Sequence, residues 1–161
     1  MKSPARFEWF SHRDSQNVAR WVADKIPGAS RGWDNCVAMR VFDIEGRTLG
    51  GVVYHDWHPE AGVMCMSAAG EPGWLSRPIL YAMHAYIFDT AGCQLAVMQV
   101  SESNQRMRRI GLAYGYTEHR IPRLRGRDEA EMIMTLADED WRASRFHRSA
   151  IRGKIQTACP A

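Results

Sequence analysis

The sequence predicts an α+β fold: one mixed, mostly antiparallel central sheet flanked by helices, in a single domain. Three observations carry this. The chain has 161 residues, 45% of them hydrophobic and 24% charged, enough for one complete core and too few for two. Apolar stretches of strand length stand at residues 6–10, 62–70, 93–100 and 131–136, and a pair of them lies within 35–56, interleaved with helical patterns rather than segregated from them. The stretches between 35 and 70 are separated only by short turns, so they run antiparallel, as a meander.

Each element follows from its residues. RFEWF (6–10) is short and aromatic, a first strand. Residues 14–26 place Val18, Trp21, Val22 and Ile26 at helical spacing, and Pro27 with Gly28 stops that helix. Residues 35–56 read as two strands around a turn at Glu45 and Gly46, and 62–70 as a third. Ser76 can cap the next helix, whose apolar stripe is Ile79, Leu80, Met83, Ile87 and Phe88, ending at Gly92. Residues 93–100 form a buried strand, 103–114 a short helix closed by Gly115, and 131–136 a last strand. From Ala137 the chain is expected to be helical, and beyond Ser149 it is polar and basic and expected to fray. Arg120, Arg123, Arg125 and Arg127 fall in an expected loop.

Charge excludes little by itself. Against 18 acidic residues stand 21 Lys+Arg, a formal net charge of +3, too mild to announce nucleic-acid or membrane binding. The distribution is less even: residues 104–127 carry seven arginines and one glutamate, Glu118, so a basic face is expected there. A polyanionic ligand is one use of such a face and a solvated surface is the other. No stretch approaches the apolar length of a membrane span, and the first ten residues lack a signal-peptide core, so a cytoplasmic location without membrane partners is expected. Cys36, Cys65, Cys93 and Cys159 lack any C-x-x-C spacing, and the first three read as reduced residues of apolar strands.

Two segments stand in a fixed relation. After an apolar strand, SAAGEPGWLSRPILYAMHAYIFDTAGC turns on glycines into a helix; a strand follows, and then VSESNQRMRRIGLAYGYTEHR, where one short helix separates Asn104 from Gly115-Tyr116. This arrangement resembles the GCN5-related N-acetyltransferase (GNAT) superfamily over roughly residues 35–142. The likeness is to its RimJ/RimL-like branch and to small phage or prophage relatives, the latter through the W-[ST]-R turn at Trp74, Ser76 and Arg77. The resemblance implies a GNAT-like acyltransferase domain over residues 1–148 with a basic tail at 149–161, and acetyl-coenzyme A as cofactor. It further implies an amine-bearing acceptor, whether small molecule, protein or modified nucleic acid, and allows a homodimer.

Acetyl-coenzyme A is long and polyanionic. A glycine turn at a helix N-terminus suits its pyrophosphate, because unpaired N–H groups and the helix dipole both point at the anion. The resemblance assigns that part to Gly73, Trp74, Leu75, Ser76 and Arg77, the pantetheine to the strand edge at residues 63–69 with Met66 and Ser67, and the family asparagine to Asn104. Arg106 and Arg109 share a helix face and are assigned to phosphates, leaving Arg108 as a solvated residue. The family's pyrophosphate loop reads Gln/Arg-x-x-Gly-x-Gly/Ala; Ala68, Glu71, Gly73 and Leu75 fall near those places and only Gly73 keeps its role. Arg77 itself has two readings: a cation tolerated in the first helical turn because a phosphate sits there, or a partner for Glu71.

Acetyl transfer to an amine needs a base, a donor for the developing oxyanion and a proton for the departing thiolate. YHDWHPE (54–60) is the densest group of titratable side chains, and His55 with Asp56 is the expected base, against a polar hairpin loop as the alternative. His55 and His58 could also ligate a metal, but no third-ligand pattern accompanies them and no metal is expected. Ser101 either bonds near the thioester or starts a helix. The place of the family's general-acid tyrosine holds Gly111, and Tyr114 and Tyr116 read as core aromatics. The leading reading is an N-acetyltransferase acting by direct attack in a ternary complex. The alternatives are a Mom-like phage enzyme modifying nucleobases or DNA, and a non-catalytic binding module of the same fold.

Overall fold

The structure, a computed structural model, describes residues 5–10 and 12–152. Its strands are β1 (Arg6–Phe10), β2 (Val37–Phe42), β3 (Thr48–His58), β4 (Val63–Gly70), β5 (Leu95–Ser101), β6 (Thr117–Gly126) and β7 (Glu129–Ala137). Its helices are α1 (His12–Ala23), α2 (Arg77–Ala85), α3 (Gln105–Tyr114), α4 (Asp138–Ala143) and α5 (Arg145–Arg152). The seven strands belong to one sheet, and β1–β2, β2–β3, β5–β7 and β6–β7 all pair antiparallel. This is the α+β class expected. The described chain divides into two compact units, one holding the residues up to Trp57 with Cys65–Met83, the other holding His58–Met64 and the residues from His84 on. Among the described residues no helix is long and apolar enough to cross a membrane.

In the first unit α1 lies on the strands. Val18, Ala19 and Val22 pack with Cys36, Ala38 and Val53, and Trp21, Ile26, Trp33 and Ala69 close around them. Each valine taken fully from water there contributes about 1.5–3 kcal/mol. The buried Ser15 hydroxyl accepts a hydrogen bond from the Ala38 N–H at 2.8 Å, fixing the helix to the start of β2. Two adjacent glycines of β3 set the spacing on opposite faces. A Cβ on Gly51 would stand 2.7 Å from Val22 Cγ2, and one on Gly50 would stand 2.2 Å from the Trp74 ring. Gly70 admits the same indole, since a Cβ there would come within 2.5 Å of it. Trp74 is thereby buried against bare backbone.

The second unit includes a π-helical turn, Tyr86–Thr90, which continues α2 and in which the Ala91 N–H reaches the Tyr86 carbonyl at 2.8 Å. Sequence periodicity does not distinguish that wider turn from α-helix. Arg120, Arg123 and Arg125, expected in a loop, lie on β6 instead, and Arg127 just follows it. Nearly all of β6 is exposed, as an edge strand beside β7 can be, and Pro122 and its arginines are tolerated there because an edge leaves one side of the ladder unpaired. Ile87, Phe88, Met98, Met134, Leu136 and Trp141 are buried in this unit, with Tyr114 and Tyr116 as core aromatics. Trp141 donates to the Tyr114 hydroxyl at 3.0 Å, and Tyr116 bonds His84 Nε2 at 2.7 Å. The expected C-terminal helix is broken at Ser144, whose hydroxyl accepts from the His147 N–H at 3.2 Å to start α5. The expected tail boundary at residue 149 falls inside α5, and residues 153–161 lie outside the described residues.

Candidate active site

The expected base sits in a built environment. Along β3, Val53 joins the α1 cluster, and by alternation His55 follows it onto the same face. Its imidazole is buried, stacked on Trp33 with ring centroids 5.3 Å apart and planes 26° apart. Asp56 adopts a left-handed backbone, φ 47°, unusual for a residue other than glycine. Its carboxylate meets the neighbouring ring: Asp56 Oδ2 lies 2.7 Å from His55 Nδ1. The other ring nitrogen, Nε2, lies 2.9 Å from Ser67 Oγ on β4.

The hydrogen bonds assign the tautomer. An ionised Asp56 only accepts, so Nδ1 carries the hydrogen and Nε2 presents its lone pair to the Ser67 hydroxyl. The arrangement can therefore take a proton from Ser67, or through Ser67 from a group beyond it. Cys65, two residues before Ser67 and on the same face, brings its thiol to this cluster; ligand atoms of His55, Asp56 and Cys65 lie within 4.8 Å of one another. Burial first, and the Asp56 charge second, push the Cys65 thiol above its usual range. Sequence reasoning placed Ser67 at the cofactor and left Cys65 and Trp33 out. Strand parity was the available signal, because residues 53 and 55 share one face of β3 and 65, 67 and 69 one face of β4.

The turn before α2 also belongs to the first unit. Gly73 is left-handed, φ 81°, which only glycine adopts without strain. Among the described residues the N–H groups of Gly73, Leu75 and Ser76 have no acceptor, while Ser76 Oγ accepts weakly from Ile79 at 3.4 Å. Pro78 brings no N–H to the first turn of α2. Glu71 pairs with Lys25 at 3.3 Å, which gives that carboxylate a cation other than Arg77. The donors at Gly73, Leu75 and Ser76 fit an anionic group such as a pyrophosphate. Trp74 does not serve there as expected: its side chain is buried over Gly50 and Gly70, and its N–H bonds the Glu71 carbonyl at 3.1 Å. The Met66 side chain is likewise buried, so only its backbone could meet a ligand.

In the second unit the expected site residues are differently engaged. Ser101 Oγ donates to Glu129, lies 2.8 Å from Ser103 Oγ and accepts from the Ser103 N–H at 3.2 Å, closing the turn after β5. The Asn104 side-chain oxygen caps α3, accepting from the Met107 N–H at 3.1 Å. Arg106 and Arg109 are exposed, and their side chains make no ion pair or hydrogen bond among the described residues. Arg108 is not the solvated residue expected. It clasps Glu118 at 2.7 and 3.2 Å and donates to the Glu102 carbonyl at 2.9 Å. Arg120 holds Glu102 at 2.6 Å and Arg125 holds Glu131 at 2.7 Å, so much of the expected basic face is neutralised.

The fold is that of the GCN5-related N-acetyltransferases. A dodecameric spermidine N-acetyltransferase from Vibrio cholerae superposes with TM-score 0.67 at 10% identity, over 87% of this chain and 98% of that one. A GCN5-related N-acetyltransferase from Brucella melitensis gives TM-score 0.67 at 16% identity, over 92% of this chain and 81% of that one. No family profile and no curated protein matches the sequence.

Proposed function

We propose that the chain transfers an acetyl group from acetyl-coenzyme A to an amine by direct attack in a ternary complex. One observation carries the reading: a buried imidazole held by Asp56 through Nδ1 and by Ser67 through Nε2, in a fold shared with N-acetyltransferases. An amine attacks only when neutral, and His55 supplies the base, receiving the amine's proton by way of the Ser67 hydroxyl. Asp56 keeps the lone pair of Nε2 aimed at that hydroxyl. Trp33 stacks on the ring and limits its rotation.

Residues 73–77 would hold the cofactor's phosphates through the N–H groups of Gly73, Leu75 and Ser76 and the Arg77 cation, and Arg106 and Arg109 are further candidates for phosphate contacts. When bound, the cofactor supplies an acyl group already activated as a thioester. Amines to test first include polyamines, the acceptors named for the Vibrio cholerae neighbours. The nucleic-acid reading gains nothing from the structure, since Arg108, Arg120 and Arg125 are paired with carboxylates. The test is calorimetry with acetyl-coenzyme A followed by thiol release in the presence of an amine panel. Saturable binding and amine-dependent release are expected; no heat and no thermal shift at millimolar ligand would remove the proposal.

A further inference from the structure

We propose that Ser67 is itself a nucleophile, taking an acyl group from an activated ester or thioester when no amine is present and passing it to water. The inference shares His55 with the proposed transfer but requires neither coenzyme A nor an acceptor amine. Nucleophilic serines are recognised by geometry: a hydroxyl within hydrogen-bond reach of a base, and the base oriented by a third group. Ser67 Oγ is 2.9 Å from His55 Nε2, and His55 Nδ1 is 2.7 Å from Asp56 Oδ2. The three roles are filled by three residues of one unit, and the unusual backbone of Asp56 lets adjacent residues act as base and orienter.

Ser67 is favoured over its neighbour Cys65. A thiol reacts as thiolate, and burial together with the Asp56 charge keeps the Cys65 sulfur protonated. The serine hydroxyl needs no prior ionisation, because the base that receives its proton is already hydrogen-bonded to it. In the first step Ser67 Oγ bonds to the acyl carbon as its proton moves to His55 Nε2. The bond to the leaving oxygen or sulfur breaks, and that atom takes the proton. In the second step His55 removes a proton from water, the water oxygen bonds to the acyl carbon, and the released Ser67 Oγ recovers the proton, leaving a carboxylic acid. Asp56 accepts from Nδ1–H throughout and stays ionised.

The full chain is mixed with p-nitrophenyl acetate, without coenzyme A, and followed by stopped flow and peptide mapping. The expected result is a burst of p-nitrophenolate no larger than the protein concentration and one added acetyl group on the peptide containing Ser67. S67A and H55A should lose both, D56N should slow the burst roughly a hundredfold or more, and C65S should retain it. Mapping the unaltered protein keeps the test valid if a variant misfolds. Acetyl on Cys65 or on surface lysines alone, or an undiminished burst in S67A, overturns the proposal. So does a burst abolished by EDTA and restored by zinc, which would make His55, Asp56 and Cys65 a metal site. Amine-dependent thiol release without any Ser67 acetylation would overturn this inference alone, whereas Ser67 acetylation without coenzyme A binding would remove only the transferase reading.

Discussion

Ser67 and Ser101 are both hydroxyls on strands and both have a titratable partner, yet the structure uses them in opposite ways. Ser67 faces an imidazole whose far nitrogen is held by a carboxylate; Ser101 faces Glu129 directly and turns the chain toward α3. The Glu129 carboxylate accepts from the Ser101 hydroxyl, which remains a donor closing a turn. The imidazole nitrogen that faces Ser67 offers a lone pair able to accept its proton. The same contrast runs through the charges. In the second unit Arg108, Arg120 and Arg125 each meet a carboxylate, and the groups satisfy one another. Around Ser67, among the described residues, no Lys or Arg pairs with the Asp56 carboxylate, which instead orients His55. Pairing, more than residue type or charge density, separates the proposed chemistry from the scaffolding here.

The largest effect that could break this contrast is at the base. His55→Ala should lower amine-dependent turnover by roughly one to three orders of magnitude while leaving acetyl-coenzyme A affinity nearly unchanged, as loss of a proton acceptor does. Steady-state kinetics with calorimetry on the same preparation checks both halves, and full turnover would take His55 out of the site.

Next in size is Arg77, exposed at the first position of α2, where the helix dipole disfavours a cation. If it meets a cofactor phosphate, Arg77→Ala should weaken coenzyme A binding by about 1.5–3 kcal/mol, the scale of a charge-assisted hydrogen bond. Calorimetry with coenzyme A on this variant, beside its apo melting temperature, reads the effect. Parent-like affinity together with a lower apo melting temperature would mean that the cation serves the fold.

A smaller effect is expected at the second serine. Ser101→Ala should cost about 0.5–1.5 kcal/mol of stability through its lost turn hydrogen bonds and leave turnover within a few-fold of the parent. Urea unfolding and kinetics measure the two quantities, and a turnover loss rivalling that of His55→Ala would erase the distinction between the serines.

The sheet and the main helices were legible because their residues keep one period. Val18 and Val22 mark the buried face of α1, and Ile79, Met83 and Ile87 the stripe of α2 and its π-helical continuation. β6 was not, because an edge strand buries neither face and so carries no alternation, and because Pro122 and the arginines imitate a loop. At the candidate site, the density of titratable residues in one short stretch is what draws attention to His55 and Asp56. Their link to Ser67 could not be read there, since it depends on the register of β3 against β4 and on the left-handed turn at Asp56, which no local preference dictates. Arg108 was misread for a related reason: helical spacing says which face it occupies, but not that Glu118 stands beside it.

That last pair supplies the smallest expected effect and the plainest test of pairing. Arg108 binds Glu118 through two nitrogens, and this hydrogen bond, with the guanidinium charge, holds the carboxyl below its ordinary value of 4.5, against a smaller opposing effect of burial. A carboxyl whose folded pKa is depressed contributes stability above its unfolded value and loses it as pH falls through the folded one. The parent should therefore be modestly more stable than Glu118→Gln at neutral pH, and the two should converge as pH falls through the lowered folded value. Because the pair is close to solvent, added salt should narrow the neutral-pH gap as well. Thermal unfolding of both proteins across pH and ionic strength reads this directly. A gap that persists unchanged at about pH 3 and in high salt would show that Glu118 acts by shape and neutral hydrogen bonding, so that the second unit's ion pairs do not neutralise its arginines in the way the comparison with Ser67 requires.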